Sequence, residues 1–193
     1  MSTGERTATN RERLVAAAAE RFHTRGFEAT PVEDILAATG VSRSNFYYHF
    51  ADKRELARAV VERWIETYDR DIVTPSLAAE GVPVGRRLAD LFQRAAQFQE
   101  PAAGRTGCPL ARLVLELAHQ DPAVRRRIAG YFDSLQSRIA ALLGRRDNRL
   151  GPDAGRVAEL AVCVLEGALL LSHVHQDPGH VRRAGKLLAT LVA

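Results

Sequence analysis

Residues 40–56 read GVSRSNFYYHFADKREL, and there the residue types first point to chemistry. Arg43, Ser44, Asn45, Tyr47, Tyr48 and His49 crowd a guanidinium, hydroxyls, an amide and an imidazole into two helical turns. Such groups hydrogen-bond phosphate oxygens and base edges in a major groove. Phe46 and Phe50 stand four apart and share the opposite face, which anchors the helix to a core. A solvated helix of an unrelated bundle is the alternative, but it gives Tyr47-Tyr48-His49 beside Arg43 and Lys53 no packing rationale.

A second candidate is Cys108 in Gly107-Cys108-Pro109, at the N-cap of a helix with proline at its first position. A helix N-terminus with Arg105 and Arg112 nearby lowers a thiol pKa, which would make Cys108 a thiolate open to electrophiles or oxidants. A small capping residue shielding a loop is the plainer reading. Cys163 reads as core or interface filling. Trp64, Tyr68, Phe92, Phe98, Tyr131 and Phe132 supply aromatic surface for an apolar small-molecule pocket, with Arg112, Glu116 and His173 as its polar groups. Plain core accounts for the same aromatics. His173 and His175 are two apart, about 200° around a helix, so one chain cannot bring both to a metal. No paired carboxylates, phosphate loop or nucleophile–base arrangement emerges, so neither an enzyme, a cofactor nor a metal site is expected.

The elements that position these groups follow from helical periodicity and punctuation. Leu14, Ala18 and Phe22 recur every four residues and stop at Gly26-Phe27. Thr30 with Glu33 reads as a capping box, with a helix starting at Pro31 and closing at Thr39-Gly40. Ser42 caps the next helix, and Asp52 caps a long connector running to about Ile72 with Leu56, Val60, Trp64 and Tyr68 on one face. Residues 75–83 read as a loop. Further helices are expected over about 84–99, 109–120, 122–145, 154–176 and 178–192, separated by polar or Pro/Gly-rich joints. The helix at 154–176 is apolar on nearly every side, which implies burial from two directions. No strand pattern or repeat is visible. The fold expected is all-α with about nine helices: a head over 1–52 and a larger body over 53–193.

The 193 residues carry a formal charge of +4, yet only two of the 27 basic residues are lysines, Lys53 and Lys186. Arginine excess of this kind follows genome composition, so the local positive edge of Arg43, Lys53 and Arg54 matters more than the total. The N-terminus lacks the apolar core of a secretory signal. The apolar run 157–171 contains Glu159 and Glu166 and falls short of a membrane span of about 20 residues. Two cysteines far apart fit a reducing compartment without a structural disulfide, and a cytoplasmic protein is expected.

Over residues 40–56, and in its head, connector and helical body, the chain resembles the tetracycline repressor (TetR) family of bacterial transcription regulators. In the body, Gly107-Cys108-Pro109-Leu110 followed by Leu115-Glu116-Leu117 and Asp121-Pro122 resembles a subgroup of it. The resemblance implies Arg43, Ser44, Tyr47 and Tyr48 on base edges and Thr30, Asn45, His49 and Lys53 on phosphates. Glu33 stands where some members carry a basic base-reading residue, so reading is expected from the third helix alone. The resemblance further implies an effector cavity, assigned here to Trp64, Tyr68, Phe92, Cys108, Arg112, Glu116, Phe132 and His173. It also implies a homodimer pairing the last two helices through Val164, Leu165, Ala168, Leu169 and Leu188. The partners implied are palindromic double-stranded DNA, a second subunit and an unidentified small-molecule effector, with no membrane. A helical DNA-binding protein without an effector is the competing reading.

Overall fold

The computed structural model describes residues 8–100, 107–144 and 153–192. Arg105 lies outside them. The described residues form ten α-helices and one π-helical turn, with no strand among them: α1 (Asn10–Thr24), α2 (Val32–Thr39), α3 (Arg43–His49), α4 (Lys53–Tyr68), the π turn (Asp69–Val73), α5 (Thr74–Leu77), α6 (Val84–Gln99), α7 (Pro109–Leu117), α8 (Pro122–Leu143), α9 (Ala154–His175) and α10 (Gly179–Leu191).

Helices α1 to α3 enclose a small core. Leu14, Phe22, Ile35 and Phe46 are wholly buried, and Phe27, Val41 and Phe50 nearly so. Gly26 (φ +97°) and Gly40 (φ +65°) take the left-handed conformation that ends α1 and α2, as the sequence pattern requires. Ser42 and Asp52 cap as expected, accepting from the N–H of Asn45 and Glu55. The expected cap at Thr30 does not form. Its hydroxyl instead donates to Gly26 O at 2.7 Å, Pro31 takes the N-cap position, and α2 starts at Val32. Steric closure of the α1–α2 turn wins over capping, because the buried hydroxyl finds a carbonyl within the turn. A capping box forms instead at Thr9 and Glu12.

The connector does not stop at Ile72. One extra residue per turn at Asp69–Val73 makes a π segment, and helical structure continues through Pro75 to Leu77. Pro75 lies in the first turn of α5, directly after the π segment. Three ion pairs fasten this side to α8: Arg58 to Asp121 at 2.8 Å, Glu62 to Arg127 through two bonds of 2.7 Å, and Asp69 to Arg138 at 2.6 Å. Asp121 also caps α8, and its side chain is buried.

Helices α6 and α10 approach as closely as backbones allow. A Cβ on Gly85 would lie 2.7 Å from Ala189 O, and one on Gly185 would collide with the Phe92 side chain. Helix α9 turns Ala158, Ala161, Leu165, Ala168, Leu169 and Ser172 inward. Its other side, continued on α10, exposes Leu160, Leu170, Leu171, Val174, Leu187 and Leu191. Residues on the proposed pairing list therefore need correcting. Leu165, Ala168, Leu169 and Leu188 are buried against their own chain and Val164 is half-buried, because the inward stripe of α9 takes leucines and alanines together and leaves a second set of leucines outside. At 22 residues, α9 is also long and apolar enough to cross a membrane, unlike the shorter run read from sequence.

Candidate functional site

On α3 the polar groups divide by exposure. Tyr47 is 51% and Tyr48 81% exposed, with Arg43 and Ser44 beside them on the open surface. Phe46 holds the helix from behind, its ring edge-on to Tyr47 at 5.2 Å. Arg43 is drawn into an ion pair with Glu33 of α2. Ser44 shares a hydrogen bond with Ser42 at 3.1 Å. Asn45 and His49 are half-buried, and Asn45 Oδ1 is shielded without a partner. Two expected phosphate anchors look elsewhere. Thr30 is completely buried, and Lys53 donates to Phe27 O at 2.9 Å and Thr30 O at 3.2 Å while its ammonium sits 4.1 Å from the Phe27 ring centroid. Both residues close the head internally. A buried hydroxyl cannot present itself to phosphate, and a cation held by two carbonyls has its donors largely committed.

The body holds a narrow apolar cavity of about 30 Å³ between α4, the π turn, α6, α8 and α9. Tyr68, Cys108 and Phe132 line it as expected. Trp64 does not. It stacks edge-on to His23 at 5.3 Å and to Phe98 at 5.6 Å, behind the cavity wall. Phe92 is spent against Gly185. Arg112 and His173 line a separate outer groove, with Gly107, Leu115 and Leu170, that meets the cavity at Cys108 and Glu166. Glu116 faces the head and accepts the Glu28 N–H at 2.9 Å.

Sequence reasoning missed Glu166 and Gln99. Glu166 was visible only as an interruption in an apolar run; a carboxylate on the inward side of such a helix is the signal that could have found it. Burial pushes its pKa up to about 7, with a hydrogen bond from Cys108 acting in the other direction. Gln99 is buried and its Oε1 has no partner. Cys108 does cap α7, accepting from the Ala111 N–H at 3.5 Å. Its thiol pKa nevertheless goes up, through burial first and then the Glu166 carboxylate, so the expected lowering by the helix end loses to desolvation. Burial likewise raises Tyr68 and Tyr131.

The same loop that lines the cavity holds the head. His23 Nε2 donates to Gly107 O at 3.0 Å, Arg112 Nη1 to His23 O at 3.2 Å, and Gln120 Nε2 to Glu28 Oε1 at 3.1 Å.

A small helical head exposing a short polar helix after a glycine turn, on a long helix rooted in a cavity-bearing body, is the architecture of a helix-turn-helix transcription regulator. Residues 14–60 match the family described as bacterial regulatory proteins, tetR family, and residues 83–187 match the LmrA/YxaF-like transcriptional regulator C-terminal domain. The chain belongs to the tetR family of bacterial transcription regulators. An uncharacterized HTH-type transcriptional regulator of Mycobacterium tuberculosis is 32% identical over 86% of this chain and 86% of its own. The HTH-type transcriptional repressor DhaR of Mycobacterium sp. is 26% identical over 86% of this chain and 84% of its own. A crystal structure of a TetR transcriptional regulator from Chloroflexus aurantiacus superposes with TM-score 0.80 at 29% identity, over 93% and 92% of the two chains.

Proposed function

We propose that the protein is a cytoplasmic, effector-responsive repressor that binds a palindromic operator as a homodimer. Each α3 lies in the major groove of one half-site, the two about 34–36 Å apart. Arg43, Ser44, Tyr47 and Tyr48 read bases, and Asn45 and His49 meet the flanking backbone. The exposed leucines of α9 and α10 bury each other across a two-fold axis, which leaves α9 covered on both sides. The observation that carries the effector response is the adjacency of Gly107 and Cys108: one bonds to His23 of the head, and its neighbour lines the cavity. A ligand that spreads the narrow cavity displaces this loop and α4 together, and the head separation changes with them. Repression is favoured by similarity to DhaR, named a repressor.

The test is operator binding by wild type, Tyr47→Ala and Leu170→Glu/Leu187→Glu. Tyrosine loss lowers discrimination between operator and scrambled DNA by about 1–3 kcal/mol at one salt concentration. The double charge makes a monomer by sedimentation and removes operator binding at concentrations where wild type saturates. Binding unchanged in both variants overturns the proposal.

A further inference from the structure

Glu166 and Gln99 present the cavity with two acceptors that the described residues satisfy only in part. Among the described residues the Glu166 carboxylate has no basic partner; Cys108 alone is bonded to it. Gln99 lies on α6, is 1% exposed, and keeps Oε1 without a donor. The rest of the cavity is hydrocarbon and aromatic, including Ile72, Leu91, Phe98 and Phe132. Burying an acceptor without a partner is costly, and the cost is removed when a donor arrives. Glu166 and Cys108 also form the partition between the cavity and the outer groove, so the carboxylate stands at the way in.

We infer that the cavity, spread by its ligand, takes a small apolar or aromatic amine, its protonated nitrogen bound between Glu166 and Gln99 and its hydrocarbon part lying against Phe98 and Phe132. This rests on the reading that the cavity is the effector site. An anion is disfavoured on the same ground, since Glu166 meets it with like charge and, among the described residues, no arginine or lysine lines the cavity. The titratable groups facing Glu166 are Tyr68 of α4, Cys108 at the start of α7 and Tyr131 of α8, all uncharged at neutral pH, with Arg112 and His173 across the groove. Within the cavity, charge selection therefore falls to Glu166.

The test uses three probes of one shape: 4-phenylbutylamine, 4-phenylbutanol and 4-phenylbutyrate, titrated calorimetrically into the full chain. The amine is expected to bind about tenfold or more tighter than the alcohol, and the butyrate not to bind. Glu166→Gln removes the preference for amine over alcohol while the alcohol binds as before. Gln99→Leu weakens the amine more than the alcohol. Amine affinity in the wild type rises with pH from 6 to 8, as the carboxylate ionises, and does not in Glu166→Gln. Equal or tighter binding of alcohol or butyrate, retention of the amine preference in Glu166→Gln, or no binding of any probe overturns the inference. The regulatory reading is scored separately, by operator release: amine that binds with the expected selectivity but leaves DNA binding intact sinks the effector role and leaves the ligand assignment standing.

Discussion

The head and the body are built from the same kind of helix but resolve their polar groups in opposite ways. In the head, Thr30 bonds to Gly26 O, Thr39 to Ile35 O and Lys53 to two carbonyls, so these polar groups close on the head itself, with Arg21 Nε and Asn45 Oδ1 left without partners. In the body, Gln99 Oε1, Glu166 and His173 Nδ1 sit in or beside empty space with partners missing or few. The head's polarity faces outward as a rigid surface; the body's faces inward as an unfilled requirement. A reading element gains from a fixed shape, whereas a sensing element must be able to lower its energy when something arrives.

The sharpest way to break this comparison is to cut into both cores. Phe46→Ala removes a wholly buried ring from the head, and a loss of about 3–5 kcal/mol is expected by urea unfolding. Next comes Glu166→Gln, which should raise stability. Its folded-state pKa lies near 7 against an ordinary 4.5, so the wild type is at full stability below about pH 4.5 and loses it as pH climbs through 7. The variant escapes that loss, by roughly 3 kcal/mol at pH 8 and nearly nothing at pH 4.5, read from melts across pH. A variant less stable than wild type at pH 8 would mean that the carboxylate is satisfied after all. The smallest effect is Lys53→Ala, costing about 1–2 kcal/mol of head stability through two lost charge-assisted bonds. Were Lys53 a phosphate anchor alone, stability would stay put and only the salt dependence of DNA binding would flatten.

Much of this was legible in the chain. Periodicity and punctuation located most helices to within a few residues, because glycine at 26 and 40, and Ser42, Asp52 and Cys108 at caps, act through local sterics and local bonds. The polar face of α3 was legible for the same reason: seven residues are enough to sort Phe46 from Tyr47 and Tyr48. What stayed hidden depended on distant partners. Nothing in the local sequence says that Lys53 meets carbonyls 23 and 26 residues earlier, or that Arg43 pairs with Glu33 across the turn. The inward phase of α9 was equally invisible, since a helix apolar all round has no preferred face until its neighbours choose one. Proline 75 misled in a different way, as a loop signal that a helix start also tolerates.

The two glycines at the crossing of α6 and α10 give the cavity an unusual owner. With no side chain at Gly85 or Gly185, the two helices are keyed together at backbone distance like a mortised beam. One end of that beam carries Phe98 and Gln99 into the cavity; its other member carries Leu187 and Leu191 on the outer surface. Whatever occupies the cavity therefore pushes on the outer wall of the molecule through a single stiff part. A substitution as slight as Gly185→Ala puts a methyl into the Phe92 side chain and is expected to spread α6 from α10, without replacing any residue that lines the cavity or faces outward on α3.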